Sequence, residues 1–233
     1  MAESGTLALV GAGEFLESMR AVDAELLRRA GARRVAILPT ASAPDGPGVP
    51  ERWAAMGVAH FTALGAVARA VMAVDRSSCQ APDLAAQAQE ADLVYFSGGK
   101  PAYLVETLRD SLVWAAVLSV LARGGLVAGC SAGAMALGGW VPDRPTLRRP
   151  SFWRPGLGLV PQTVILPHFD EIPPLITAGL AAVAPRGATL IGIAGSTALV
   201  GRDAVWTVLG ERGVRVRAQG RDESLRSGAA VRL

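Results

Sequence analysis

The chain has 233 residues, 51% of them apolar, enough for one large α/β domain with a substantial core. It contains no apolar run of 18 residues, so no membrane-spanning helix and no membrane partner are expected. Its two cysteines, Cys79 and Cys130, offer neither a disulfide framework nor a metal-ligand spacing. The formal charge is only +3, the basic residues are scattered and aromatic content is 5%, which argues against a nucleic-acid platform of clustered cations and stacking rings.

A reduced, cytoplasmic setting is expected from the cysteine usage and from Met1-Ala2-Glu3-Ser4-Gly5, which lacks the basic segment of a secretory signal. Lys100 is the sole lysine and asparagine is absent. Bias from a GC-rich genome explains this most simply, with avoidance of heat-labile amides as a second explanation.

In chain order, strand-like runs alternate with helical ones. Thr6 to Val10 is an apolar strand closing on Gly11-Ala12-Gly13, and Glu17 to Ala30 carries Met19, Val22, Leu26 and Leu27 at helical spacing before the stop at Gly31. The Gly-Ala-Gly lacks the third glycine of a dinucleotide fingerprint, so no such cofactor is expected. Val35 to Leu38 is a second strand, Ala41 to Pro50 a loop, Arg52 to Leu64 a helix and Ala66 to Val74 a third strand. Asp83 to Glu90 reads as a short helix, and Asp92 to Phe96 as a strand ending in Ser97-Gly98-Gly99. Helical stretches follow at Tyr103 to Leu108 and Leu112 to Arg123; the apolar Leu112 to Ala122 fits either the core or an interface, leaving a homodimer open.

From Gly138 to Leu157 the periodicity vanishes, and the prolines there predict a long loop. Thr163 to Leu166 reads as a strand, Leu175 to Val183 as a helix, and Thr189–Ile193, Thr197–Val200, Val205–Leu209 and Val214–Arg217 as strands with antiparallel pairing. The repeated β-α units predict a three-layer α/β fold, a mostly parallel sheet with helices on both faces. Right-handed crossovers would bring all the strands' carboxyl ends to one edge, where open sheets bind ligands.

Leu126 to Met135 is the stretch with the sharpest chemical implication. A short apolar run ends in Gly129-Cys130-Ser131-Ala132-Gly133, the spelling of a nucleophile elbow that lifts one hydroxyl above the sheet edge. Taken alone, the pentapeptide fits a Gly-rich turn without chemistry equally well. The other half of the chemistry must come from a base. Of the two histidines, His60 lies in a helical stretch and reads as structural, whereas His168 follows a strand at the functional edge and is the candidate general base.

Tyr95-Phe96-Ser97-Gly98-Gly99, the elbow Gly129 to Ala134, Gly156 to Val160, Pro167-His168-Phe169, Ile191-Gly192-Ile193 and Thr197-Ala198-Leu199 occur in that order. Together they resemble the dipeptidase E and cyanophycinase family of serine peptidases, over roughly residues 5–210. The resemblance implies a class I glutamine amidotransferase-like (flavodoxin-like) fold, with Ser131 as nucleophile, His168 as base, and the backbone N–H groups of Gly99 and Ala132 as oxyanion hole. It implies neither a cofactor nor a metal. Cys130 precedes the middle position of the elbow and is expected to pack as a small apolar side chain.

The sequence departs from the family where a glutamate is the proposed histidine partner: it reads Ala194-Gly195-Ser196, with Gly195 at the glutamate's place. Asp143, Asp170, Glu171 and Glu14 are the carboxylates on loops expected at the same edge, and a hydroxyl such as Ser196 or a water is the weaker substitute. Losing the third member of such a triad typically costs about 10⁴-fold in turnover. The resemblance implies small peptide substrates cleaved after aspartyl residues, a preference that needs a cation. Lys100 and Arg148, Arg149 or Arg154 are candidates, with Gly98 as a further substrate contact; each of these charges is also consistent with a solvated surface. A weakened or inactive relative that binds a peptide or amino acid at the same edge is the competing expectation.

Overall fold

The computed structural model describes residues 5–143, 151–218 and 220–233. The first half alternates β1 (Thr6–Val10), α1 (Arg20–Ala30), β2 (Arg34–Leu38), α2 (Val49–Ala63), β3 (Val67–Ala70), α3 (Pro82–Gln89) and β4 (Leu93–Phe96). Then come α4 (Pro101–Leu108), α5 (Leu112–Ala122), β5 (Leu126–Cys130), α6 (Ala132–Leu137), β6 (Gly138–Pro142), β7 (Trp153–Pro155) and β8 (Val160–Leu166). The chain closes with α7 (Pro174–Ala182), β9 (Thr189–Ile193), β10 (Thr197–Arg202), β11 (Val205–Gly210), β12 (Gly213–Ala218), β13 (Arg221–Arg226) and β14 (Ala230–Arg232). Among the described residues no helix is long and apolar enough to cross a membrane.

The strands form two sheets, of order β14-β11-β10-β1-β5-β4-β2-β3 and β13-β12-β9-β8-β6-β7. The five strands β1 to β5 run parallel, and Val10 pairs with Cys130 while Phe96 pairs with Gly129. The carboxyl ends of β1, β5 and β4 therefore lie side by side, which is where the site is built. Antiparallel pairing enters at β10, β11 and β14 and in the β9-β12-β13 series, as the closing strand-like runs predict.

Period-two alternation explains why the central strands are apolar throughout. Leu9, Val94, Phe96 and Val127 face α3 to α6, whereas Ala8, Val10, Leu93, Tyr95, Ala128 and Cys130 face Val22 and Leu26 of α1 and Phe61 of α2. Helix α5 buries Val113, Trp114, Ala116, Val117 and Val120, so most of it belongs to the core; Leu112 and Leu118 stay exposed. Its start is fixed by Ser111, whose hydroxyl accepts the Trp114 N–H at 3.1 Å.

Three expectations are corrected. The supposed loop from Gly138 contains β6 and β7, paired antiparallel with Trp140 opposite Pro155. Burial of Val141 and Trp153 outweighs the unfavourable glycine and proline content. The third strand is only Val67–Ala70, because its ladder with β2 ends at Ile37–Ala70. The edge strands β13 and β14 extend the antiparallel region beyond the runs read from apolar alternation.

Candidate active site

Ser131 stands between β5 and α6 with φ 51° and ψ −112°. A residue bearing a Cβ rarely adopts that region, at a cost of order 1–3 kcal/mol. The surroundings hold it there: its N–H donates to the Val10 carbonyl at 3.0 Å, and its carbonyl accepts the Met135 N–H at 3.0 Å. A Cβ on Gly129 would come within 2.5 Å of the Gly133 backbone, and one on Gly133 within 2.5 Å of the Phe96 carbonyl. The first glycine thus lets the helix approach the strand, and the second lets it approach β4.

His168 follows the end of β8, also at positive φ, 52°. Its turn is tied at both ends. The Phe169 N–H donates to the Ile193 carbonyl at 3.1 Å, and the Glu171 N–H donates to the His168 carbonyl at 2.9 Å. The Phe169 ring packs against Gly192, where any Cβ would collide with it. These contacts bring His168 Nε2 to 3.2 Å from Ser131 Oγ, within the reach needed for proton transfer. If Nε2 accepts the serine proton, the resting imidazole carries its own proton on Nδ1.

Nδ1 faces Glu171 Oε2 at 3.5 Å. That is an ion-pair distance, too long for a good hydrogen bond. With 43% of the His168 side chain and 69% of the Glu171 side chain exposed, water competes for both.

The two N–H groups expected as oxyanion donors belong to Ala132 and Gly99. Ala132 opens α6, so its N–H has no intrahelical acceptor. The Gly99 N–H has no acceptor among the described residues, while its neighbours are engaged: Gly98 N–H donates to Glu14 Oε1 at 2.9 Å and Lys100 N–H to the Ala41 carbonyl at 2.7 Å. Cys130 points the other way, fully buried, its thiol donating to Glu14 Oε2 at 3.0 Å. Burial, and then the Glu14 carboxylate, push that thiol well above its ordinary pKa, so it is a poor nucleophile.

Against this geometry, the family model described as peptidase family S51 matches residues 7–208. The chain belongs to peptidase family S51. A solved structure described as a peptidase from an acI-B1 Actinobacterium is 30% identical, covers 100% of this chain and 98% of its own, and superposes with a TM-score of 0.89. A putative peptidase E protein from Listeria monocytogenes EGD-e shares the fold at 17% identity, with TM-score 0.62 over 92% of this chain and 98% of that one. No curated protein matches the sequence.

The S51 chain distributes its other candidate residues unevenly. Of the four carboxylates considered as the histidine's partner, Glu171 alone is within ion-pair distance of it. Asp170 accepts the Gly195 N–H at 2.8 Å and pairs with Arg212. Asp143 pairs with Arg154 at 3.3 Å. Glu14 lies buried beneath the elbow. Ser196 does not orient the imidazole either, since its hydroxyl donates to Ser18 Oγ at 2.9 Å.

Among the cations, Lys100 pairs with Asp45 at 3.1 Å, and Arg154 is held between Asp143 and Glu106. Arg148 and Arg149 lie outside the described residues. Gly98, expected at the substrate, has its N–H committed to Glu14. Among the described residues no group of three or more His, Cys, Asp or Glu could hold a metal ion. The hydrogen bonds that Glu14 accepts from Gly98 and Cys130, and the seating of Phe169 on Gly192, escape sequence reasoning. For Glu14 the available signal is a carboxylate directly after a Gly-rich strand exit.

Proposed function

We propose that this S51 chain is a serine peptidase that hydrolyses small peptides through an acyl-enzyme on Ser131. The observation that carries the reading is the 3.2 Å approach of His168 Nε2 to a serine hydroxyl held on a strained elbow. His168 takes the Ser131 proton as Oγ attacks the scissile carbonyl, and the tetrahedral oxyanion is met by the N–H groups of Gly99 and Ala132. The proton passes to the leaving amine as the C–N bond breaks. Water then attacks the ester, with His168 again taking and returning a proton, and releases the acid and free Ser131.

Glu171 is the group available to orient His168, more weakly than a buried partner would. Cleavage after aspartyl residues is the substrate preference the family resemblance supports. Lys100, adjacent to Gly99 and 61% exposed at its side chain, is the cation best placed along the chain to serve it. A second reading, a binding protein with little turnover, is favoured by two observations: Gly195 bears no carboxylate, and Glu171 stops at 3.5 Å.

Hydrolysis of a panel of aspartyl dipeptides separates the two. The peptidase reading predicts turnover by the wild type and a loss of at least about 10³-fold in Ser131→Ala. Equal peptide binding by both proteins, with all peptides left intact, would establish the second reading instead.

A further inference from the structure

We infer that Glu14 is a positioning residue for this site: its buried side chain ties the loop presenting the Gly99 amide to the strand end presenting Ser131, and so fixes the distance between oxyanion donors and nucleophile. The inference rests on the peptidase reading of Ser131 and His168.

Glu14 is only 7% exposed, and among the described residues no arginine, lysine or histidine pairs with it. A carboxylate so buried is costly unless its oxygens are satisfied. Here the two oxygens take donors from two different arms of the site. Oε1 accepts the Gly98 N–H at 2.9 Å, one residue before the Gly99 amide, and Oε2 accepts the Cys130 thiol at 3.0 Å, one residue before Ser131. A Cβ built on Gly98 would sit 2.6 Å from Glu14 Oε1 and 3.5 Å from the Ser131 Cβ. Gly98 is thus enclosed between carboxylate and nucleophile.

The backbone on either side of Glu14 is bent to deliver it. Gly13 has φ 89° and Phe15 has φ 64°, the second a conformation that an aromatic residue rarely adopts. The Phe15 ring offsets that strain by packing against Tyr95 at 5.1 Å between centroids, and against Phe61 and Trp53 at 6.3 Å. A strained turn, an anchoring ring and a carboxylate facing inward do not follow from packing alone, because an apolar side chain would fill the same space without a buried polar group. Gly98 lies in the loop after β4 and Cys130 ends β5, so the bridge fixes that loop to the strand end just beyond the last β4–β5 pair, Phe96–Gly129.

The test measures the second-order rate at which a fluorophosphonate labels Ser131, because the phosphonyl oxygen needs the same donors as the substrate oxyanion. Wild type is measured first. No labelling there removes the peptidase reading and this inference with it. With wild type labelled, Glu14→Ala is expected to label about 10²-fold more slowly and to lose kcat with little change in KM, as for a misplaced oxyanion donor. Glu14→Gln keeps an acceptor for the Gly98 N–H and is expected to recover most of the loss, to within about fivefold of wild type by the same argument. A Glu14→Ala protein that melts at a lower temperature yet labels at the wild-type rate would overturn the inference while leaving the peptidase reading intact. Should Glu14→Ala fail to fold, Cys130→Ala, which frees one oxygen only, is expected to slow labelling severalfold; an unchanged rate there would also overturn it.

Discussion

At the scale of single residues, reactivity here is set by what surrounds each side chain. Cys130 and Ser131 are adjacent, yet one is sealed beneath the sheet with its thiol pKa raised, and the other is lifted out by a strained bend beside an imidazole. The histidine's partner shows the same dependence. A buried third member of a triad is worth about 10⁴-fold. An exposed ion pair contributes about 0.2–1 kcal/mol, and 1 kcal/mol corresponds to about fivefold in rate. Glu171→Gln is therefore expected to lower kcat by less than about tenfold, measured on whichever peptide the wild type cleaves; a loss of 10³-fold or more would show that Glu171 closes onto His168 during the reaction. That Ser131 and His168 lie together was legible in the sequence, because an elbow motif and a histidine just past a strand each have a local signature. Glu171 was one carboxylate among four, since its proximity depends on a turn at positive φ that neighbouring residue types do not specify.

At the scale of elements, α1 and α2 are joined across the core by His60 Nε2 and Asp23 Oδ2 at 2.8 Å, both residues buried. Burial pushes the Asp23 carboxyl above its ordinary value of 3.8, and the bond from His60 works against that shift. Removing the imidazole strands the carboxylate, so His60→Ala is expected to destabilise the fold by about 3 kcal/mol, measured by urea unfolding. The sign of its pH dependence follows from the raised folded-state pKa. Without His60 the group that opposes the shift is gone and the Asp23 carboxyl is raised further than in the wild type, so the penalty is smallest at acid pH, where both folded proteins hold the proton, and grows as pH rises. A penalty that shrinks towards neutral pH would contradict this account.

The elements themselves were unevenly legible. The closing strands through Val214–Arg217 announced themselves by apolar alternation. Strand β13, Arg221–Arg226, buries none of its residues and pairs with a single neighbour, so it carries no such pattern. Strands β6 and β7 were hidden for the opposite reason: glycine and proline mask a pairing that tertiary burial of Val141 and Trp153 enforces.

At the scale of the whole molecule, sheet order does the assembling. Because β5 lies between β1 and β4, three loops far apart in the chain end beside one another: the Glu14 turn, the Gly98-Gly99 loop and the Ser131 elbow. The second sheet supplies the remaining part, since β8 and β9 together seat the His168 turn against Ile193 and Gly192. The β-α alternation predicted the shared carboxyl edge of the first sheet; it carried no information about the second, which joins the local β12–β13 hairpin to strands paired from farther along the chain.

Intact-protein mass measurement after fluorophosphonate treatment tests the proposal that Ser131 is a nucleophile activated by His168. One adduct is expected on wild type, mapped to Ser131, with none on Ser131→Ala and labelling slowed by at least about 10²-fold in His168→Ala. A wild-type protein that gains no mass, or a Ser131→Ala protein that still gains it, would contradict the claim.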